Sequence, residues 1–329
     1  MQIQAVIMAG GKGTRLRAIT NDEIPKPMAP VAGKPILEWQ IECLRRQGIH
    51  EIILIIGHLG HKIREYFGDG TAFGVEISYI EGRLRASSFF LIFGDVLFDI
   101  DLERMWRFHE EKKAAATLFV HPNMHPFDSD LVVCDAEGRV QRFDSKHNVR
   151  DYWYQNCVNA GFYLMDQSIC SRVPVGEKTD LEKDILSAMI AEGVPVYGYR
   201  SPEYIKDVGT VERICRAEQE LTSGFISGRN LNKPQRAIFL DRDGTINRKN
   251  GLVYQEDQFE LESCAVEAIR AINSSGYLAI ILTNQPVVAR GLCQIEDVER
   301  IHRKMETLLG QEGVYLDDIC YCPHHPDKG

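Results

Sequence analysis

Glycines at positions 10, 11 and 13 follow the apolar run Ala5-Val6-Ile7-Met8, in a loop that also carries Lys12 and Arg15. Small residues leave backbone N–H groups room to close on a polyphosphate, an anion site that needs no side chain. Lys12 and Arg15 add cationic donors, and a guanidinium can fork onto two phosphate oxygens. Lys26 stands between Pro25 and Pro27, whose restricted backbones hold it as a fixed charge. The spacing matches neither the G-K-S/T phosphate loop nor the G-x-G-x-x-G dinucleotide fingerprint. Two acidic residues could serve the same chemistry. Asp95 ends the apolar stretch Leu91-Ile92-Phe93-Gly94, at the carboxyl end of a strand, where open α/β sheets place ligands. Asp207 lies in Lys206-Asp207-Val208-Gly209-Thr210, where by itself it would also fit a turn or helix cap. Asp241 and Asp243 follow Ala237-Ile238-Phe239-Leu240. Residues i and i+2 of an extended chain share a face, so these two carboxylates can converge on one phosphate.

The elements that must position these residues alternate. Apolar runs at 4–8, 51–56, 75–80 and 89–93 suit buried strands, and 36–47 and 102–113 have helical periodicity. The alternation predicts an α/β fold wound around a sheet. Further strands are expected at 115–120, 131–134, 157–165 and 194–199, and helices over 180–192 and 210–223. Residues 224–235, rich in Gly, Ser, Asn and Pro, read as a linker. A second α/β pattern follows, with strands at 236–240 and 277–282 and helices at 263–275 and 294–309. The expected units are therefore 1–223, the linker 224–235, and 236–329. A length of 329 residues accommodates two domains, and a net charge of −9 argues against nucleic acid or an anionic membrane as partner. No apolar run approaches a membrane span, and the N-terminus lacks a signal-peptide pattern, so a cytoplasmic protein is expected. Nine scattered cysteines suggest no disulfide framework, and most read as small buried hydrophobes.

The run Gly10-Gly11-Lys12-Gly13-Thr14-Arg15-Leu16, followed by Pro25-Lys26-Pro27, resembles the signature of sugar-1-phosphate nucleotidylyltransferases. The resemblance implies a Rossmann-like nucleotidyltransferase sheet. Gly10, Gly11, Gly13 and Thr14 would wrap the nucleotide triphosphate, Arg15 would lie against the leaving pyrophosphate, and Lys26 near the α-phosphate. Asp95 and Asp207 match the family's G-D and D-x-G-T carboxylates, which implies that they hold Mg²⁺. Lys146 in Phe143-Asp144-Ser145-Lys146 is similar to a family F-x-E-K lysine that binds the sugar phosphate, with Ser145 in place of the glutamate. Asn159-Ala160-Gly161 resembles a stretch that contacts the sugar, and Glu182-Lys183-Asp184 a further segment near it, although a solvated helix face fits the latter equally.

One departure stands out. Only Glu81-Gly82-Arg83-Leu84-Arg85-Ala86-Ser87-Ser88 joins two expected strands, where the family carries an L-G-T-x-G-A motif and a helix of the base pocket. Parallel strands need a crossover of about a dozen residues or more, and eight extended residues reach only ~28 Å. The short link predicts a sheet face that is open or repacked, and weakened or lost nucleotide binding.

In the second half, Asp241-Arg242-Asp243-Gly244-Thr245 resembles the D-x-D-G-T motif of haloacid-dehalogenase-type phosphatases. The resemblance implies that Asp241 is the nucleophile and Asp243 the general acid and base, both beside Mg²⁺. Thr283 and Asn284 match the second motif, which binds the phosphoryl group. Cys322 and His324 resemble half of the zinc site of heptose 1,7-bisphosphate phosphatases, a site that needs four ligands. Later motifs of that family would fall beyond Gly329, and Pro286 and Val287 replace small residues beside the phosphate. The expectation is an incomplete haloacid-dehalogenase-type domain without turnover. Both halves together resemble bifunctional proteins of heptose activation. The activity implied is transfer of a nucleotidyl group from a nucleoside triphosphate, GTP foremost, to D-glycero-D-manno-heptose 1-phosphate, with the base itself not readable because the pocket segment is the one missing. Hexose 1-phosphates such as mannose 1-phosphate are the enzymatic alternative, and a non-catalytic sugar-nucleotide-binding protein or a poorly folding product are the others. Small-molecule substrates and a homo-oligomer are the partners expected.

Overall fold

The computed structural model describes residues 3–11, 16–79, 84–249 and 251–326. The chain opens with β1 (Gln4–Ala9) and the short α1 (Arg17–Thr20). A small hairpin of β2 (Pro30–Val31) and β3 (Lys34–Pro35) leads into α2 (Ile36–Arg46) and β4 (Glu51–Ile56). Next come α3 (Gly60–Phe67), β5 (Glu76–Tyr79), β6 (Ser88–Phe93), β7 (Val96–Asp99) and α4 (Leu102–Lys112). Four strands follow: β8 (Ala116–His121), β9 (Leu131–Cys134), β10 (Val140–Asp144) and β11 (Val158–Asp166). Then come α5 (Ser187–Ala191), β12 (Val196–Arg200), β13 (Tyr204–Asp207), α6 (Val211–Thr222) and α7 (Phe225–Gly228). A C-terminal unit holds β14 (Ala237–Leu240), α8 (Ala265–Ser275), β15 (Leu278–Asn284), α9 (Ile295–Gln311) and β16 (Asp318–Cys322).

Nine strands form one mixed sheet, ordered β10-β9-β11-β6-β1-β4-β5, with β8 pairing β11 and β12 pairing β8. β6, β1, β4 and β5 run parallel, while β11 is antiparallel to β6 and β8. Alternate residues of β1 go to opposite cores. Ala5, Ile7 and Ala9 pack with Ile41 and Leu44 of α2 and Met105 of α4. Val6 packs with Phe89, Tyr163, Leu186 and Met189 on the other face. Parallel strands need cover on both faces, and this division supplies it.

In the sheet, β4 and β1 lie between β5 and β6, the two strands that the short link joins. Three strand spacings amount to roughly 14 Å, within reach of the residues available. Residues 80–83 lie outside the description. Beyond them Leu84 packs against the second core, and Gln4 Oε1 accepts the Ala86 amide at 3.1 Å. The expected open face reduces to its carboxyl end, where Met8 is 43% exposed.

The C-terminal sheet is parallel, ordered β14-β15-β16. On one face Ile281 packs with Ile269 of α8 and with Ile301 and Met305 of α9. On the other, Phe239 is 62% and Leu282 58% exposed. The stretch read as a linker is anchored to both units from its middle. Buried Arg229 pairs with buried Asp317 at 2.7 Å, and buried Asn230 donates to Asp99 at 2.7 Å. All nine cysteines are free, but only Cys43 and Cys157 are buried and five are exposed, which corrects the reading of them as buried hydrophobes.

Candidate active site

β7 and β13 form an antiparallel ladder in which Asp207 faces Val96, and the Val208 amide donates to the Asp95 carbonyl at 2.8 Å. Pairing across this ribbon is what brings together two acidic residues more than a hundred positions apart. Each carboxylate meets a cation from a different element. Asp95 pairs with Lys26, which sits in the helical turn Lys26–Met28, and Asp207 pairs with Arg213 of α6. The Gly-Thr after Asp207 builds the start of α6. Thr210 Oγ1 caps the helix by accepting the Arg213 amide at 3.3 Å, while Asp207 accepts the Gly209 amide at 3.0 Å. Thr210 is therefore the cap, which leaves the Asp207 carboxylate beside the cavity.

Both carboxylates line a cavity of about 700 Å³. The same cavity is also lined by Lys146, Asn159, Gly161 and Glu182. The register of β11 against β8 shifts between Asn159 and Tyr163. The bulge turns on Gly161, with φ +71° and a Cβ position that would stand 2.9 Å from the Phe93 ring, so only glycine fits. Asn159 is thereby aimed at Glu182 and at the Tyr163 hydroxyl, donating at 2.6 and 2.7 Å. Glu182 belongs to a π-helical turn, residues 181–186, capped by Asp180, and it also accepts from Tyr163 at 2.5 Å. It faces inward rather than into solvent. Burial pushes its carboxyl pKa upward, against the opposing hydrogen bond from Tyr163. Lys146 Nζ lies 3.4 Å from Asp128, and its amide donates to Asp130 at 2.8 Å.

Gly10 and Gly11 stand exposed beyond the end of β1. Lys12, Gly13, Thr14 and Arg15 lie outside the described residues. Sequence reading missed Arg150, which reaches from Asp144 to the carbonyls of Pro126 and Ser129 at 2.7–2.8 Å and shapes the loop beside Lys146. No local periodicity marks such a residue. It also missed Tyr315 and Asp317, which line the same cavity from the C-terminal unit.

In that unit Asp241 accepts the Thr283 hydroxyl at 2.8 Å, and Asp243 accepts Gln285 Nε2 at 3.1 Å. Gln285 donates to Thr283 as well, so one hydrogen-bonded chain joins the two acids. Arg242, fully buried, forks onto both Asp243 oxygens at 2.9 and 3.1 Å. His302 lies 3.5 Å from Arg242, and burial followed by the arginine charge pushes its pKa down to about 3. Asn284 is exposed at the end of β15. Cys322 and His324 are exposed, and among the described residues no three His, Cys, Asp or Glu side chains gather as a metal cluster.

The family profile for nucleotidyl transferases matches residues 4–88 and 81–224, and the chain belongs to that family. The two matched pieces meet over 81–88, the short link. The particular relatives handle sugar 1-phosphates. Mannose-1-phosphate guanylyltransferase of Mycobacterium tuberculosis is 32% identical over 240 residues, which cover 68% of this chain and 66% of that protein. The chain thus spans slightly less than two thirds of that relative's length. D-glycero-alpha-D-manno-heptose 1-phosphate guanylyltransferase of Aneurinibacillus thermoaerophilus is 32% identical over 234 residues, covering 67% of this chain and 98% of that protein. The crystal structure of HddC from Yersinia pseudotuberculosis complexed with GMP-PN superposes with a TM-score of 0.55 at 23% identity, over 66% of this chain and 99% of that one, a likeness of fold. No helix among the described residues is long and apolar enough to cross a membrane.

Proposed function

We propose that this chain transfers a nucleotidyl group from a nucleoside triphosphate to a sugar 1-phosphate, releasing pyrophosphate, with GTP as donor and D-glycero-D-manno-heptose 1-phosphate as acceptor. The observation that carries the reading is that Asp95, Asp207, Lys146, Asn159 and Glu182 all line one cavity. An acceptor phosphate oxygen attacks the α-phosphorus, the bond to the β-phosphate oxygen breaks, and pyrophosphate leaves without a covalent enzyme intermediate. Asp95 and Asp207, hard oxygen donors side by side, would hold a divalent cation such as Mg²⁺, which supplies charge neutralisation for the transfer. Lys26 and Arg213, now paired with these carboxylates, add positive charge at the same place. The glycine loop with Gly13, Thr14 and Arg15 is assigned to the triphosphate. Lys146 receives the acceptor phosphate, and Asn159, Gly161 and Glu182 receive sugar hydroxyls. Catalysis then comes from positioning and charge stabilisation.

The names of the relatives support both the guanylyl donor and the heptose or mannose acceptor. The short link favours a second reading, a sugar-nucleotide-binding protein without turnover. Pyrophosphate release with Mg²⁺, across four nucleoside triphosphates and a panel of sugar 1-phosphates, separates the two. Release with one donor–acceptor pair, lost in Asp95→Asn, supports transfer, and no release from a cooperatively melting sample overturns it.

For residues 236–329 we infer a haloacid-dehalogenase-type unit in which Asp241 would be the nucleophile, Asp243 the acid and base, and Thr283 and Asn284 the phosphoryl contacts. The Thr283–Asp241 hydrogen bond supports this assignment. The exposed face of Phe239 and Leu282 argues for a unit without turnover. Phosphate release from a heptose bisphosphate, abolished by Asp241→Asn, would contradict that part.

A further inference from the structure

The loop that carries the acceptor side of the cavity is built against the C-terminal unit. Pro126, in the helical turn Pro126–Asp128, presses on Gly310 of α9. A methyl group at Gly310 would stand 2.4 Å from Pro126 Cγ and 3.0 Å from Cδ, so the helix carries a glycine where the ring seats. One turn earlier, Thr307 Oγ1 accepts the Tyr154 amide at 2.9 Å and donates to the Tyr154 carbonyl at 3.0 Å. Glu306 pairs with Arg200 at 3.1 Å. Three successive contacts therefore fix α9 against segments flanking the cavity.

The contact reaches Lys146 in two steps. Asp128, at the end of the Pro126 turn, lies 3.4 Å from Lys146 Nζ, and Asp130 accepts the Lys146 amide at 2.8 Å. Arg150 ties the turn to Asp144, on the strand that precedes Lys146. Gly313, Tyr315 and Asp317, just beyond α9, complete the cavity wall. The family match ends at residue 224, so none of this wall belongs to it.

We propose that α9 buttresses the acceptor site, with Gly310 a positioning residue that sets Lys146 through Pro126 and Asp128. This rests on the transferase reading for its substrate, though not for its geometry. Misplacing a binding group by a fraction of an ångström is enough to lower its use of substrate. The C-terminal unit thereby acts as a structural wall for transfer, whatever its own carboxylates do.

The test compares the full chain with Gly310→Ala, Pro126→Ala and the double variant. Amide hydrogen exchange over residues 122–130 and at Lys146 reads the geometry without reference to activity. Gly310→Ala should speed exchange there, and the double variant should restore it, because removing the ring makes room for the methyl. In transfer assays Gly310→Ala should raise KM for the sugar 1-phosphate about tenfold while leaving KM for the nucleotide unchanged, again with recovery in the double variant. Unchanged exchange in Gly310→Ala overturns the proposal, as does an equal rise in both KM values or a failure of Pro126→Ala to rescue. If the wild type transfers nothing, the transferase reading fails, and the exchange arm alone decides the positioning claim.

Discussion

The two carboxylate pairs of this molecule sit in different kinds of surroundings. Asp95, in the turn between β6 and β7, and Asp207, at the end of β13, pair with cations from two further elements, beside a cavity large enough for a sugar phosphate. Asp241 and Asp243 come from one strand end, and Asp243 is held by Arg242, its immediate neighbour. The first pair sits on the two-stranded β7-β13 ribbon beside the nine-stranded sheet, whose faces both carry apolar cores, and the second on three strands with one face largely bare. A carboxylate pair is recognisable from its motif in either setting. What distinguishes the first pair is the cavity beside it and cations that arrive from separate elements, which only the surrounding fold provides.

The comparison can be broken at several points. The largest effect is expected where the two regions join. Arg229→Met leaves Asp317 charged and buried, and should cost about 3–5 kcal/mol in urea unfolding. A small change would mean that the regions are only loosely attached. Next, Asp95→Asn should reduce pyrophosphate release by about 10²–10³-fold, the scale of removing one preorganised charge contact. Asp241→Asn should leave the same rate unchanged, and a parallel fall would place the second pair in the transfer reaction.

A smaller effect concerns pH. Burial raises the Glu182 carboxyl, so it takes up a proton at higher pH than an ordinary carboxylate. Its use as an acceptor for sugar hydroxyls is complete above the raised value and is lost as pH falls through it. KM for the sugar 1-phosphate should rise on that acid limb, and Glu182→Gln should flatten it. Stability moves the other way: between the ordinary and the raised value the native state binds more protons, so Glu182 makes the fold less stable as pH rises through that window. The smallest effect is expected for Arg213→Met, whose half-exposed pair with Asp207 should contribute no more than about 1 kcal/mol to unfolding.

The elements that carry Asp207 and the glycine loop were legible because their signals are local. The apolar run before the glycine loop does form β1, and the D-x-G-T segment does place Asp207 beside a helix start. β7 and β13 were harder to read, since each is four residues long and their pairing spans a hundred positions. Glu182 illustrates the limit. Its neighbours Lys183 and Asp184 suggest a solvated face, and only the π-helical turn and the partner Asn159 on β11 turn it inward. The linker read from Gly, Ser, Asn and Pro likewise hides buried Arg229, whose partner lies 88 residues away. Composition reports local freedom, whereas long-range ion pairs leave no trace in it.

The most direct measurement is mass-spectrometric detection of a nucleotide sugar from GTP and D-glycero-D-manno-heptose 1-phosphate, run in parallel on the wild type, Asp95→Asn and Asp241→Asn. The account predicts product from the wild type and Asp241→Asn at equal rates and almost none from Asp95→Asn. Product from Asp95→Asn at the wild-type rate, or its absence from a folded wild type with every sugar 1-phosphate tried, would contradict it.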